Sequence, residues 1–256
     1  MRRLWPVIAV MIFAAVSLPA ETPPLPPLDT VIQRALAKAA TEDDNDRQFN
    51  QLYGYTRVRV TEYRNAKSEL KKHEEKRTPE GLARANAVVV AAPAPAETNG
   101  PVTETHSNIH GKQLAVKDYS LTNLATRFKF TLAGRETING RPSLVVDFQP
   151  ASKNLPVHSY KDKFINQAAG RVWVDEADYA IAKAQLRLTH QVNVLGGLAG
   201  AVYKFTYSFD RVRTPEGLWF SRHVDWHLEG REVVFHRIVD YHESKIDEVR
   251  GSAPAH

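Results

Sequence analysis

From Val172 to Tyr241 the chain runs through long stretches in which apolar and polar residues alternate, each ended by a turn-forming group. Tyr179–Val194 leads to Gly196-Gly197, Ala201–Arg213 to Thr214-Pro215-Glu216-Gly217, and Leu218–Leu228 to Gly230-Arg231 before Glu232–Tyr241. A period of two with Gly/Pro-marked breaks places every second side chain on one face. This is the pattern of antiparallel strands buried on one side only. The buried side is rich in aromatics, so it must pack under helices or hold something apolar.

The registers of these strands can be checked against each other, because a slip by one residue would invert every side chain. A turn centred on Pro215-Glu216 places Phe209 opposite Arg222, Tyr207 opposite Val224, Phe205 opposite Trp226 and Tyr203 opposite Leu228. A turn at Gly230-Arg231 places Leu228 opposite Val233 and Trp226 opposite Phe235. A turn at Gly196-Gly197 sets Leu188 against Phe205 and Leu186 against Tyr207. The three turns assemble one continuous apolar face that also takes in Ala184, Phe220 and Val239.

The first twenty residues read as an export signal. Arg2 and Arg3 precede the apolar run Leu4–Val16, and Leu18-Pro19-Ala20 ends in a small residue suited to cleavage. The apolar run is short for a membrane span. Cysteine is absent, which excludes thiol catalysis, cysteine-held metals and lipidation at a lipobox. The net charge of +5 falls to +3 without Arg2 and Arg3 and is spread along the chain, without the basic stripe that nucleic-acid binding calls for. The mature chain, from residue 21 onward, is therefore expected to be exported, with cleavage after about Ala20, and to lie in the periplasm if the source is a Gram-negative bacterium.

Residues 21–256 are expected to form one domain. After the proline-rich Glu21–Pro27, Asp29 is placed to cap a helix from Thr30 to about Ala40, with Val31, Ile32, Ala35, Leu36 and Ala39 on one side. The acidic run Glu42–Asp46 interrupts it. A first strand is expected over Leu52–Tyr63, and the charged Lys67–Thr78 is either its hairpin partner or a solvated helix. The Ala/Pro-rich stretch at about 81–100 reads as a flexible insertion. Tyr119–Arg127 is expected to be a short helix or turn, and Lys161–Ala169 a brief helix. Phe128–Ile138 and Pro142–Gln149 form a hairpin on Asn139-Gly140. A strict two-residue turn there would set Phe130 and Leu132 against Gln149 and Asp147, so a bulge must shift the register by one.

Little in the chain reads as catalytic. His223, Asp225 and His227 fall on the face opposite the apolar one, with His236 and His242 on the next strand and Asp225 opposite His236. This is either a zinc-binding cluster or the solvated outer face, and no His-Glu-x-x-His spacing supports the former. There is no Gly-x-Ser-x-Gly elbow and no phosphate loop. The reading assigns no enzyme activity, metal or cofactor. The aromatic face remains, and a single short helix covers only part of so wide a sheet. An apolar groove left open suits an acyl chain, at about 0.8 kcal/mol per buried methylene. Leu195 and Leu198 flank the di-glycine and form a lip over that groove, a membrane-touching tip or simply a hairpin end packed on a neighbouring loop.

Three segments carry a resemblance: Asn139-Gly140-Arg141-Pro142, Asp147-Phe148-Gln149-Pro150, and Gly170-Arg171-Val172-Trp173-Val174-Asp175 leading into the meander. In these the chain resembles the bacterial outer-membrane lipoprotein-sorting superfamily over about Tyr53–Tyr241, without the Ala/Pro insertion. The resemblance implies an α+β fold in which a curved antiparallel half-barrel sheet is covered by helices on its concave apolar face. It also implies a cavity for acyl chains and no catalysis. The expected ligand-lining residues are Leu186, Leu188, Phe205, Tyr207, Phe220, Val224, Trp226 and Phe235. The expected partners are lipoprotein acyl chains or another lipid, with an inner- or outer-membrane protein and no nucleic acid. The alternatives are an envelope interaction or stress-sensing module of the same fold and, further off, a metal-dependent hydrolase.

Overall fold

The computed structural model describes residues 23–82 and 125–251, apart from 195, 196 and 199. The expected export signal, most of the Ala/Pro-rich insertion, the first part of Tyr119–Arg127 and Leu195 lie outside the described residues.

Two helices lead into the sheet. Helix α1 spans Leu28–Ala39, with Pro27 at its N-cap. Asp29 sits in the first turn instead of at the cap, where its charge still favours the positive end of the helix dipole. Leu28, Val31, Ile32 and Ala35 recur at helical spacing and pack together against the sheet. The acidic run does not only interrupt this helix. Glu42, Asp43 and Asp44 form the first turn of a second helix, α2, Glu42–Leu52, again at the positive end of a dipole.

Among the described residues ten strands follow in one antiparallel sheet: β1 Tyr53–Arg64, β2 Leu70–Gly81, β3 Phe128–Ile138, β4 Arg141–Pro150, β5 Ala168–Asp175, β6 Ile181–Leu188, β7 Val192–Val194, β8 Gly200–Arg213, β9 Trp219–Glu232 and β10 Phe235–Arg250. The spatial order is β2-β1-β10-β9-β8-β6-β5-β4-β3, with β7 beside β8, so the sheet is open, with β2 and β3 at its two edges. The charged Lys67–Thr78 segment is thus a strand. Its dense charge on an edge is a known guard against pairing with other chains. A short helix α3, Tyr160–Ile165, enters β5. Its capping box is closed by the Ser159 hydroxyl, which accepts from the Asp162 N–H, and the Asp162 carboxylate, which accepts from the Ser159 N–H.

The β3–β4 hairpin turns on Asn139 and Gly140, both at positive φ, as a two-residue primed turn requires. The bulge demanded by the apolar pattern lies between Leu132 and Gly134, so Phe130 faces Phe148 and Leu132 faces Val146. Leu186 faces Tyr207, as the Gly196-Gly197 turn predicts.

Two other registers differ from expectation. Between β8 and β9 the Thr214 N–H donates to the Leu218 carbonyl, which makes a longer loop. A bulge between Asp210 and Arg211 adds a second shift. The two shifts sum to two residues, so the faces are preserved while the partners move. Tyr207 faces Trp226, Phe205 faces Leu228 and Phe209 faces Val224. Between β9 and β10 the turn is at Val233-Val234, not Gly230-Arg231. Trp226 therefore faces Tyr241 and Leu228 faces Val239, and Phe235 faces Glu232 instead of Trp226.

The core forms three clusters. Val31 of α1 is buried against Leu144, Val146 and Val174, with Phe130, Leu132 and Val172 around it. Phe49 of α2 is buried with Tyr53, Tyr55, Leu218 and Phe220. Trp219 packs on Ala180, Ala182 and Ile138.

Candidate functional site

Cross-strand partners share a face, so the registers trace the inner face row by row. One row runs Phe130–Phe148–Gly170–Leu186–Tyr207–Trp226–Tyr241–Thr61. The next runs Leu132–Val146–Val172–Ala184–Phe209–Val224–Glu243–Arg59. Both are apolar from β3 through β9 and turn polar only at β10 or β1. Aromatic rings dominate the middle. Trp226 stacks on Tyr241 at 5.2 Å, Tyr207 meets Phe209 edge-on at 6.0 Å, and Phe205 lies 6.5 Å from Trp226.

The two helices do not close this face evenly. Phe49 stacks on Phe220 at 4.4 Å and on Tyr53 at 5.0 Å, which seals the end where β9 begins. Asn45 fastens α2 there by accepting from the Trp219 N–H at 2.8 Å and donating to its carbonyl at 2.5 Å. Arg211, buried, donates to both carboxylate oxygens of Glu42 at 2.9 and 2.5 Å. Between helices and sheet lies a cavity of about 230 Å³, lined by Ala39, Glu42, Asp46, Ile181, Tyr207, Phe209, Arg211 and Ser221. Beyond it Leu186, Leu188, Phe205, Tyr207, Val224, Trp226 and Leu228 are all only partly buried.

At the β10–β1 side the face ends in charge. Glu243 accepts from the Tyr241 hydroxyl at 2.7 Å and from Arg59 at 3.1 Å, while Arg57 pairs with Glu80 at 2.5 Å. Burial, reinforced by the hydrogen bond to Glu243, pushes the Tyr241 phenol well above its ordinary value. Burial raises the Tyr207 phenol too. The Lys245 ammonium lies 5.2 Å from the Tyr55 ring and 5.9 Å from the Phe49 ring. Its pKa is lowered, by burial first and then by Arg57 beside it.

Of the residues expected to line a ligand, Leu186, Tyr207, Val224 and Trp226 come together in these two rows, with Phe205 next to them opposite Leu228. Leu188 pairs with Ala168 at the same end as Phe205. Phe220 is buried in the sealed cluster under α2, and Phe235 is exposed at the β9–β10 tip. Leu198 is exposed at the β7–β8 tip. Tyr241, Glu243, Phe130 and Phe148 were not singled out. The alternation Val239-Asp240-Tyr241-His242 was the signal for Tyr241, and no apolar pattern marks Glu243.

The outer face carries the histidines. His227 bonds Asp240 at 2.7 Å, His242 pairs with Asp225, and His73 lies 3.4 Å from Glu62. Asp225 thus faces His242, not His236. A wider cleft of about 400 Å³ on this side is lined by carboxylates, imidazoles and hydroxyls together with Val60, Trp226 and Tyr241. Each of these imidazoles takes one carboxylate, and no group of three or more candidate ligands among the described residues is placed to hold a metal ion.

No protein-family profile matches the sequence, and no curated protein matches it. Solved structures do. A lipoprotein-sorting protein domain from Vibrio parahaemolyticus is 11% identical over 88% of this chain and 95% of its own, with a TM-score of 0.33. A LolA superfamily protein from Nitrosomonas europaea is 9% identical over 88% and 94%, also at 0.33. MucB in its complex with MucA from Pseudomonas aeruginosa is 10% identical over 86% and 99%, at 0.27.

Proposed function

We propose that the chain is an exported, periplasmic acyl-chain-binding protein that carries lipid or a lipoprotein on the inner face of its sheet, curved as a half barrel under the helices, without catalysing a reaction. One observation carries the reading. Two adjacent rows of apolar residues cross the sheet without a polar break from β3 to β9, and their middle is left only partly buried between the regions that α1 and α2 seal. The cavity of about 230 Å³ is below the roughly 300–1,000 Å³ of small-molecule sites. It takes one end of a chain, and the rest lies along Tyr207, Phe205 and Trp226. Release needs no chemistry, only separation of α2 from the sheet.

The same small volume favours a second reading, in which the face is core and the protein is an interaction module that receives a membrane-protein partner. One experiment divides them. The mature protein, purified without detergent, is examined by native mass spectrometry. A bound acyl species that disappears in Trp226→Asp, with circular dichroism unchanged, supports the carrier. A ligand-free mass with no uptake of added lipid or acylated peptide overturns it and leaves the module.

A further inference from the structure

We propose that the β7–β8 and β9–β10 hairpin tips together form a docking tip for an anionic lipid bilayer. The proposal does not require that the protein carry cargo.

The described residues of the tips include large apolar side chains that no other described residue covers. Leu198 is 85% exposed, Val234 74%, Phe235 67% and Val233 54%. Scattered apolar residues on a surface are ordinary, but a cluster of this kind marks an interaction site. The two hairpins meet here, because Gly200 pairs with Glu232 and Ala201 with Arg231. A single guanidinium joins them. Arg231 donates to the Gly197 carbonyl of one tip at 2.9 Å and to the Val233 carbonyl of the other. Two tip carbonyls are thereby satisfied from within the protein, as a low-dielectric surrounding requires, since an unpaired carbonyl there is costly.

The occupant follows from shape and charge. The apolar groups project from strand ends and line no groove, which suits insertion into a fluid interface better than a fitted protein contact. Arg231 and Arg237 stand two and three residues behind the Val233-Val234 turn, about 7–10 Å along the strands. That spacing matches the roughly 5–10 Å to which interfacial elements bury their apolar side, with cations left at headgroup level. Three cations, Lys204, Arg231 and Arg237, stand against two carboxylates, Glu229 opposite Lys204 and Glu232 paired to Arg237. The free charge on the tip is positive, the sign that anionic headgroups attract. Phe205, Leu228 and Val239 lie just behind the tips, at the end of the inner face that α2 leaves open. Docking would set this open end against the bilayer.

The test is co-sedimentation of the mature protein with protein-free vesicles of phosphatidylethanolamine and phosphatidylglycerol, compared with phosphatidylcholine alone. Binding is expected to the former, to fall at least tenfold in Val234→Ser/Phe235→Ser, and to weaken in high salt. These side chains are exposed, so circular dichroism should be unchanged. Because the chain has no cysteine, Val234→Cys provides a single site for an environment-sensitive dye. Its emission should shift to the blue on vesicles, whereas a dye at Thr206→Cys on the outer face should not respond. The tip variant should keep any co-purified acyl species, and Trp226→Asp should lose it yet still bind vesicles, so the two proposals fail separately. Equal binding by wild type and tip variant, or binding to native membranes but not to protein-free vesicles, overturns the proposal.

Discussion

The indole of Trp226 lies parallel to the phenol of Tyr241, with ring centroids 5.2 Å apart and planes 11° from parallel. Register brings them together across β9 and β10, and the Tyr241 hydroxyl continues the contact into Glu243. The pair is the point where the apolar face meets its charged border. It makes the inner face amphipathic along the row.

Stacked aromatic pairs contribute about 0.5–1.5 kcal/mol beyond the area they bury. A double-mutant cycle on Trp226→Ala and Tyr241→Ala, read by urea unfolding, should therefore return a coupling of about 1 kcal/mol. Tyr241→Phe keeps the stack and loses only the bond to Glu243, so it should cost about 1 kcal/mol. Additive single effects would mean that the rings do not interact.

Asn45 holds α2 to the sheet through both backbone groups of Trp219. In Asn45→Ala the buried N–H of Trp219 loses its partner and its C=O keeps only Arg211 at 3.3 Å, at about 1–3 kcal/mol. Near-ultraviolet circular dichroism should change as Trp219 loosens. If α2 is the element that moves to admit cargo, lipid exchange in this variant should be faster than in the wild type, as measured by transfer of a fluorescent acyl chain between vesicles.

Asp175 is 1% exposed and accepts from Arg141 at 2.6 and 2.9 Å and from the N–H groups of Ala177 and Asp178 at 3.0 and 3.2 Å. It shapes the turn from β5 into β6, and Arg141 is the cation that pairs with it there. Asp175→Ala strands Arg141 and two N–H groups, at about 3 kcal/mol. For a domain of this size that corresponds to a fall in melting temperature of about 6–12 °C by calorimetry. A shift under 2 °C would show that the pair contributes nothing.

Much of this face was legible because alternation and turn chemistry point the same way. Asn139-Gly140 gave the hairpin, and the mismatch it created for Phe130 and Leu132 gave the bulge. The β9–β10 turn was not legible, for a specific reason. Gly230 looks like half of a turn, but it is a flat strand residue whose added Cβ would lie 2.7 Å from the Ala201 carbonyl oxygen. The glycine allows close approach of β8, and the strands run past it. The real turn carries Val233 at φ 52°, a conformation that β-branched residues rarely adopt and that sequence rules do not nominate. Phe235 moved from the inner face to an exposed tip with that single change. Phe220 was lost to the open face for another reason. The second helix, unseen within an acidic run, brings Phe49 down onto it.

Stability at alkaline pH tests the inner border from a different direction. Tyr55 is buried, and that burial is the main cause of a pKa pushed up to about 12 from 10.0. Tyr53, Tyr63, Tyr207 and Tyr241 shift the same way, each chiefly through burial. A folded-state pKa above the unfolded value means that the unfolded chain gives up its proton first. The stability held by these phenols is therefore complete below pH 10 and is lost as pH rises from there through about 12. Lys245 acts in the opposite sense. Its lowered pKa leaves the unfolded chain binding more protons just below the ordinary lysine value of about 10.4, so its contribution to stability rises with pH in that window. Urea unfolding from pH 9 to 11.5 should show a net loss that is shallower in Tyr55→Phe and steeper in Lys245→Met than in the wild type. The same pH dependence in all three proteins would mean that neither group is held in the environment seen beneath α2.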